Sequence, residues 1–489
     1  MTAMVKIRPS KGFLLALAGL CLLVGVLYFG LVSIREVMEN PTVRGEITFR
    51  TARPTSMDRD RLGSQTHGNV SGWSLDWLVE GYESLMSWDK NPWKTTFPGF
   101  GDHYTKLLAS KDPIDIARVK EVRRRADVLY QRLLERYPEL AMANKHVPPE
   151  RNGILKWLEF SERFKLDPTH SKLISGIEFP EEIKKHLNGE APWNAEAVKA
   201  WLALNKPMMD EIHAIGLMPE QSIAGIDIDR WGGIGTRLPF DCAEALQMEA
   251  RLAADKGDTA AALESIQAAN GIAAHLANVE TPTLLTSTIQ IRIQLQIQKY
   301  ALTEIMPALP AGQLDPAAWE TALNPTVSAP DEFARILKGE WSVTARKFLL
   351  PMLADTEDPQ YPPDPEAMLD YTAGSFLKMV QDHEGRPVSD LPNIPIVEFP
   401  DSSYLSRQSR RLTWDFGIGL RAWRNGWARA QSSSALTQAA FAVMAGQPVP
   451  CDPLFGQPYL WDPTTRILSP PNSEAFKSLN IKPITVPRP

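Results

Sequence analysis

The hydrophobic pattern of the chain divides it into unlike parts. Gly12 to Ile34 runs for 23 residues without a charged side chain. At roughly 1.5 Å per residue, a helix of that length crosses a hydrocarbon core of about 30 Å. Lys6, Arg8 and Lys11 precede it, which predicts an N-terminus in the cytoplasm and a body beyond the cytoplasmic (inner) membrane, in a periplasmic or extracellular space. The run exceeds the apolar core of a cleaved signal peptide, and Leu31-Val32-Ser33 sets a large residue where cleavage needs a small one. A retained single-pass transmembrane helix is therefore expected. Residues 35–70 mix Arg, Thr, Ser, Gly and Pro without apolar periodicity and read as a linker.

Beyond the linker the apolar spacing becomes helical. Trp73, Trp77 and Leu85 fall near one face of a helix expected over about 74–88. Asp112-Pro113 is an N-cap and first-turn pair. The stripe Ile116, Val119, Val122, Ala126, Leu129 and Leu133 follows it to Tyr137-Pro138. Further helices are expected at about 152–165, 180–188 and 194–216. The clearest pair is 240–256 and 259–278, where Gly257 breaks the chain and Asp258 caps the second member. That turn has a tetratricopeptide-like pattern, with no second copy at a period near 34 residues. The segment IQIRIQLQIQ suits a strand or a helix, and the helical periods around it favour a helix from Thr283 to about Met306. Helices at 331–349 and 402–445 complete the set. Proline-rich connections are expected at 350–365 and 386–400.

The expected fold class is all-α. It comprises a cytoplasmic basic segment (1–11), a transmembrane helix (12–34), a linker (35–70), a helical-hairpin ectodomain (71–445) and a proline-rich irregular tail (446–489) with a short extended piece.

Composition narrows the function. Of 489 residues, 44% are hydrophobic and 22% charged, ordinary values that exclude a disordered, collagen-like or disulfide-scaffold protein. Setting the three N-terminal cations aside leaves 49 basic against 58 acidic groups, a net −9. No basic excess exists to neutralise phosphates, so nucleic acid is not an expected partner. Cys242 and Cys451 allow one disulfide, but two buried free thiols are favoured.

Candidate chemistry is sparse. Trp73, Trp77, Trp88 and Trp93 form a candidate lipid- or glycan-contacting surface, with a packed core helix as the plainer reading. Arg118, Arg123, Arg124 and Arg125 form a candidate anion patch, although Glu121, Asp127 and Glu135 among them favour a solvated face. Gly68-Asn-Val-Ser71-Gly72 places its serine one position late for a nucleophile elbow. Asp227-Ile-Asp229-Arg-Trp231-Gly232 starts like a calcium loop, but Trp231 and Leu238 stand at ligand positions. Gly233-Ile-Gly235 lacks the third glycine of a dinucleotide site. Asp210 and His213 read as a surface polar pair. No metal or cofactor is expected, and a triad of residues distant in the chain remains open.

Two resemblances add to this reading. The helix-Gly-Asp-helix unit, Glu280-Thr-Pro282-Thr-Leu284, Arg292 and the element Asp452-Pro453-Leu454-Phe455-Gly456-Gln457-Pro458-Tyr459 resemble a set of uncharacterised single-pass helical proteins of planctomycete- and verrucomicrobia-like bacteria. That resemblance implies location and fold and brings no activity. The same C-terminal element is similar to one in pseudopilins, and Lys11-Gly12-Phe13 looks like a prepilin processing site. Leu17 departs from that pattern where a glutamate belongs. The expected function is a membrane-tethered scaffold or binding protein of the cell envelope, with a protein partner. The alternatives are a pseudopilin-like assembly component and an envelope hydrolase acting through the Trp-rich region.

Overall fold

A computed structural model describes residues 102–143, 145–166, 176–227, 231, 237–323, 332–358, 361, 364–386, 390, 424, 426–479 and 481–488. The expected transmembrane helix, the linker and the Trp-rich segment lie outside them. Among the described residues, no helix is long and apolar enough to cross a membrane.

The described residues are mostly helical. Helix α1 (Asp102–Ala109) leads into α2 (Pro113–Arg136), where the Asp112 side chain accepts from the Ile114 N–H. Helices α3 (Gly153–Leu166), α4 (Glu181–Leu187), α5 (Ala195–Leu204) and α6 (Lys206–Gly216) follow. The single helix expected over 194–216 is thus two. Pro207 lacks the N–H that continuation would need, and the chain breaks at Asn205.

The centre of the body is the hairpin of α7 (Arg237–Asp255) and α8 (Thr259–Ala277). Gly257 turns the chain at φ +73°. The Asp258 N–H donates to Ala253 O at 2.9 Å, and the Asp258 side chain accepts from the Ala261 N–H at 3.0 Å. One residue pair therefore ends one helix and starts the next. Helix α8 packs on α3, α6, α7, on α9 (Leu284–Tyr300) and on α10 (Pro316–Ala322). Being enclosed on several sides, it carries small residues all round. Ala262, Ala268, Ala269, Ala273 and Ala277 are fully buried. Against α6 the two backbones touch: a Cβ on Gly271 would overlap Gly216 O, and one on Gly216 would overlap Ala268 O. The far end of α8 is held by Arg335, whose guanidinium donates to Ala277 O at 2.8 Å and to Val279 O at 2.5 Å.

Helices α11 (Glu332–Thr344), α12 (Leu350–Ala354) and α13 (Pro365–His383) continue the body, with α12 on α2 and α13 on α11. Both π-helical turns among the described residues, Ala301–Ile305 and Ala345–Leu349, end two residues before a proline, Pro307 and Pro351. The wider turn re-routes the carbonyl that a proline leaves without an N–H. Helix α12 corrects the expectation that 350–365 is wholly irregular. A last long helix, α14, covers 426–444 of the expected 402–445.

The C-terminal segment, expected to be an irregular tail with a short extended piece, holds three short strands and a helix. Strands β1 (Leu460–Asp462), β2 (Ile467–Ser469) and β3 (Ile484–Thr485) form an antiparallel sheet in that order, with α15 (Glu474–Leu479) between β2 and β3. Tyr459, Leu468, Phe476, Ile481 and Val486 join the same hydrophobic core as the helices. Strands of two or three residues are too short to show a period in sequence.

The α6–α8 contact makes a direct test. Gly271→Ala forces two helices apart and is expected to destabilise by on the order of 3 kcal/mol. Gly374 of α13 meets only Tyr137 Oη at 3.9 Å, so Gly374→Ala should stabilise by up to about 1 kcal/mol through helix propensity. Urea unfolding of the two variants reads the contrast, and equal midpoints would refute the backbone contact.

Candidate functional site

Helix α7 carries a stripe of polar residues at helical spacing: Arg237, Asp241, Glu244, Arg251 and Asp255. It runs beside a second stripe on α9, Arg292, Gln296 and Tyr300. Both helices bury their apolar sides on α8, which leaves the two stripes together in one seam. Gln296 donates to Glu244 Oε1 at 2.9 Å, and the Arg292 guanidinium lies 4.4 Å from the centre of the Phe240 ring. Asp241 is fully buried. It is ion-paired to Arg237 at 2.7 Å and accepts from the Ile177 N–H at 2.7 Å.

At the other end of the seam, residues from α4 and the loop before α5 close over it. His186 Nε2 and Tyr300 Oη share a hydrogen bond of 3.0 Å. Trp193 donates to Asp255 Oδ2 at 2.7 Å, Asp255 is also paired with Arg251, and the Arg251 guanidinium lies 5.4 Å from the Trp193 ring. The His186 and Trp193 rings meet edge-on with centroids 5.1 Å apart.

Burial sets the protonation of this seam. Asp241 is pushed up to about 7, first by burial and secondarily by the nearby Glu244, against the pull of Arg237. Glu244 is raised by burial, against Gln296, Arg237 and Arg292. The Tyr300 phenol is raised by burial and by Glu304. The adjacent Cys242 thiol is buried and lifted far above its ordinary range, so it is no nucleophile. The charged groups of the seam are matched within it: Arg237 by Asp241, Arg251 by Asp255 and Glu244 by Gln296. Among the described residues, no group of three or more His, Cys, Asp or Glu side chains is placed to hold a metal ion.

The residues singled out from sequence fall elsewhere. Trp73, Trp77, Trp88 and Trp93 lie outside the described residues. Arg118 pairs with Glu357, and Arg124 and Arg125 both bond Glu121, at 2.8 and 3.0 Å. Arg123 donates to Tyr104 Oη at 3.3 Å. Three of the four guanidiniums are thus already matched by carboxylates. Asp210 bonds Lys206 at 2.6 Å. Trp231 is buried and donates to Thr281 O at 3.2 Å. Cys242 and Cys451 are both free, and Cys451 is exposed rather than buried. The seam was missed, although the α7 stripe at i, i+4, i+7 was visible beside the polar positions of IQIRIQLQIQ.

The residues behind the resemblances are brought together as ties between elements. Glu280 accepts from the Lys145 N–H at 2.9 Å, the Ile223 N–H at 3.0 Å and the Ser222 hydroxyl at 2.5 Å. Thr283 caps α9 in a reciprocal pair with Thr286. The Leu284 N–H donates to Glu340 Oε2 at 3.0 Å. Asp452 accepts from the Leu454 and Phe455 N–H groups at 2.9 and 3.0 Å, and from the Ser432 and Tyr459 hydroxyls at 2.9 Å each. Comparison of the chain with family models, curated proteins and solved structures finds no match.

Glu340 is 4% exposed and is pushed from 4.5 up to about 7, chiefly by burial. It holds its proton more tightly folded than unfolded, so its contribution to stability is full below about 4.5, falls as pH rises, and levels off above about 7. Glu340→Gln keeps the acceptor for Leu284 and removes the buried charge. Chemical unfolding should find the variant about 3 kcal/mol more stable than the parent at pH 8, and equal to it at pH 4. A constant difference across that range would refute the assignment.

Proposed function

We propose that this chain is a membrane-tethered scaffold or binding protein of the cell envelope, with the α7–α9 seam as its contact surface for a protein partner. The observation that carries the reading is the charge-free stretch Gly12–Ile34 ahead of a helical body. A body of stacked helices commonly presents extended surfaces to partners. The rim of His186, Trp193 and Arg251 offers the aromatic and guanidinium groups that dominate such contacts.

The test has two parts. The full chain is expected to resist alkaline extraction from membranes, and deletion of residues 12–34 should release it. A photo-reactive residue at Trp193 should crosslink one discrete protein in intact cells, and the same residue at exposed Val128 of α2 should not. Extraction of the full chain by alkali would overturn the tether. Identical crosslinking from both positions would overturn the seam.

A further inference from the structure

Helix α13 ends on a histidine that has no acceptor for a second proton. His383 is its last residue and is 1% exposed. The imidazole stacks on the Phe333 ring of α11, with centroids 4.6 Å apart and planes at 20°. Its Nδ1 bonds the Met379 carbonyl at 2.5 Å. A carbonyl only accepts, so Nδ1 carries the proton of the neutral ring and Nε2 is bare. That Nε2 is buried and has no hydrogen-bond partner. The Phe333 face cannot serve it, because an Nε2–H would lie in the plane of the imidazole and a stacked ring stands above that plane.

The charged groups around the ring add to this. Arg424, from the segment ahead of α14, is itself buried and opposes a cation at His383, as does Arg386 just beyond α13. Asp382 attracts one, but its carboxylate is bonded by Lys378 at 3.1 Å. On α11, Glu332 is engaged by Arg335 at 2.9 Å, and Lys338 lies 3.9 Å from Glu384. Burial first, then the two guanidiniums, lower the ring from 6.5 to about 4, against the Met379 carbonyl and Asp382. Glu384, Gly385 and Arg386, which follow, are exposed, and opening a helix end costs far less than unfolding the body. We propose that His383 is an acid-released latch: protonation at Nε2 expels the ring from its stack on Phe333 and frees the last turn of α13 from α11. Opened, the ring titrates near 6.5, and closed, near 4. The closed state therefore keeps its full advantage above about pH 6.5, loses it as pH falls, and levels off below about 4.

The test follows hydrogen exchange of the full chain in detergent micelles as a function of pH, with each rate divided by the intrinsic rate at that pH. Protection over 379–384 should fall about twentyfold from pH 7 to pH 5, the factor that a shift from 6.5 to 4 gives. At pH 5 that turn should also be at least about tenfold less protected than α9. His383→Phe keeps a ring against Phe333 and cannot take a proton, and His383→Gln is neutral throughout. Both should hold protection over 379–384 constant across the same interval, and α9 at pH 7 checks that each variant folds. A flat profile in the parent, or a fall that survives either folded variant, would overturn the latch. So would equal protection of 379–384 and α9 at pH 5, since the opening would then be that of the whole body. If neither variant folds, the parent profile decides. A fall centred between 4 and 6.5 supports the latch, and one confined to below about pH 4.5 belongs to carboxyl groups and refutes it.

Discussion

Helix α8 can occupy the middle of the body only because its residues are small where its neighbours cross it. At Gly271 and Gly216 the α6 and α8 backbones approach so closely that neither position has room for a Cβ. Fixing that distance draws in the polar groups at the end of α6. His275 of α8 donates through Nε2 to the Ile215 carbonyl at 2.8 Å, and burial depresses its basicity. Asn270, on the same helix, bonds the Ala322 carbonyl where α10 ends. A helix that approaches its neighbours this closely must satisfy their exposed carbonyls as well as fill their grooves. Alanine, glycine and these two polar residues do both.

The packing of α8 also explains the character of α9. Its apolar and polar residues alternate, and when a period of two is wound on a helix it yields four narrow stripes. Ile289, Ile293 and Ile297 are fully buried, as expected of the stripe toward α8. Gln290, Gln294 and Gln298 form a buried amide ladder. Gln290 donates to Gln294 at 2.5 Å, and Gln298 donates to Leu323 O at 3.1 Å and to Ser434 Oγ at 2.9 Å. Arg292 and Gln296 emerge on the remaining side, into the seam with α7. The same residues thus serve the core, the contact with α14 and the candidate site. A side chain changed for one of these roles would disturb the others.

How far the amino-acid pattern reveals the fold depends on how local its causes are. The α7–α8 hairpin was legible because Gly257 and Asp258 dictate the turn within two residues. The start of α2 was legible for the same reason at Asp112. The type of α9 was ambiguous, since a helix buried on nearly every side keeps no single apolar face. The C-terminal sheet was illegible, because strands of two or three residues are too short to show a period of their own. The seam stayed hidden for a different reason. Arg237, Asp241 and Glu244 look like an ordinary solvated face until Arg292, Gln296 and Ile177 are brought against them.

The residues that give this chain its look of familiarity share one kind of work. Glu280 joins the segments at Lys145 and at Ser222–Ile223, Thr283 caps α9, and Asp452 draws Tyr459 and the turn at 454–455 onto Ser432 of α14. Each is a polar side chain that satisfies several donors at a junction where regular hydrogen bonding stops. Buried junctions of that kind tolerate few replacements, because losing the acceptor strands two or more donors at once. In this chain those residues close the helical body at its junctions. His186, Trp193, Arg251 and Tyr300, which bond one another and Asp255 at the end of the seam, lie apart from every one of those junctions.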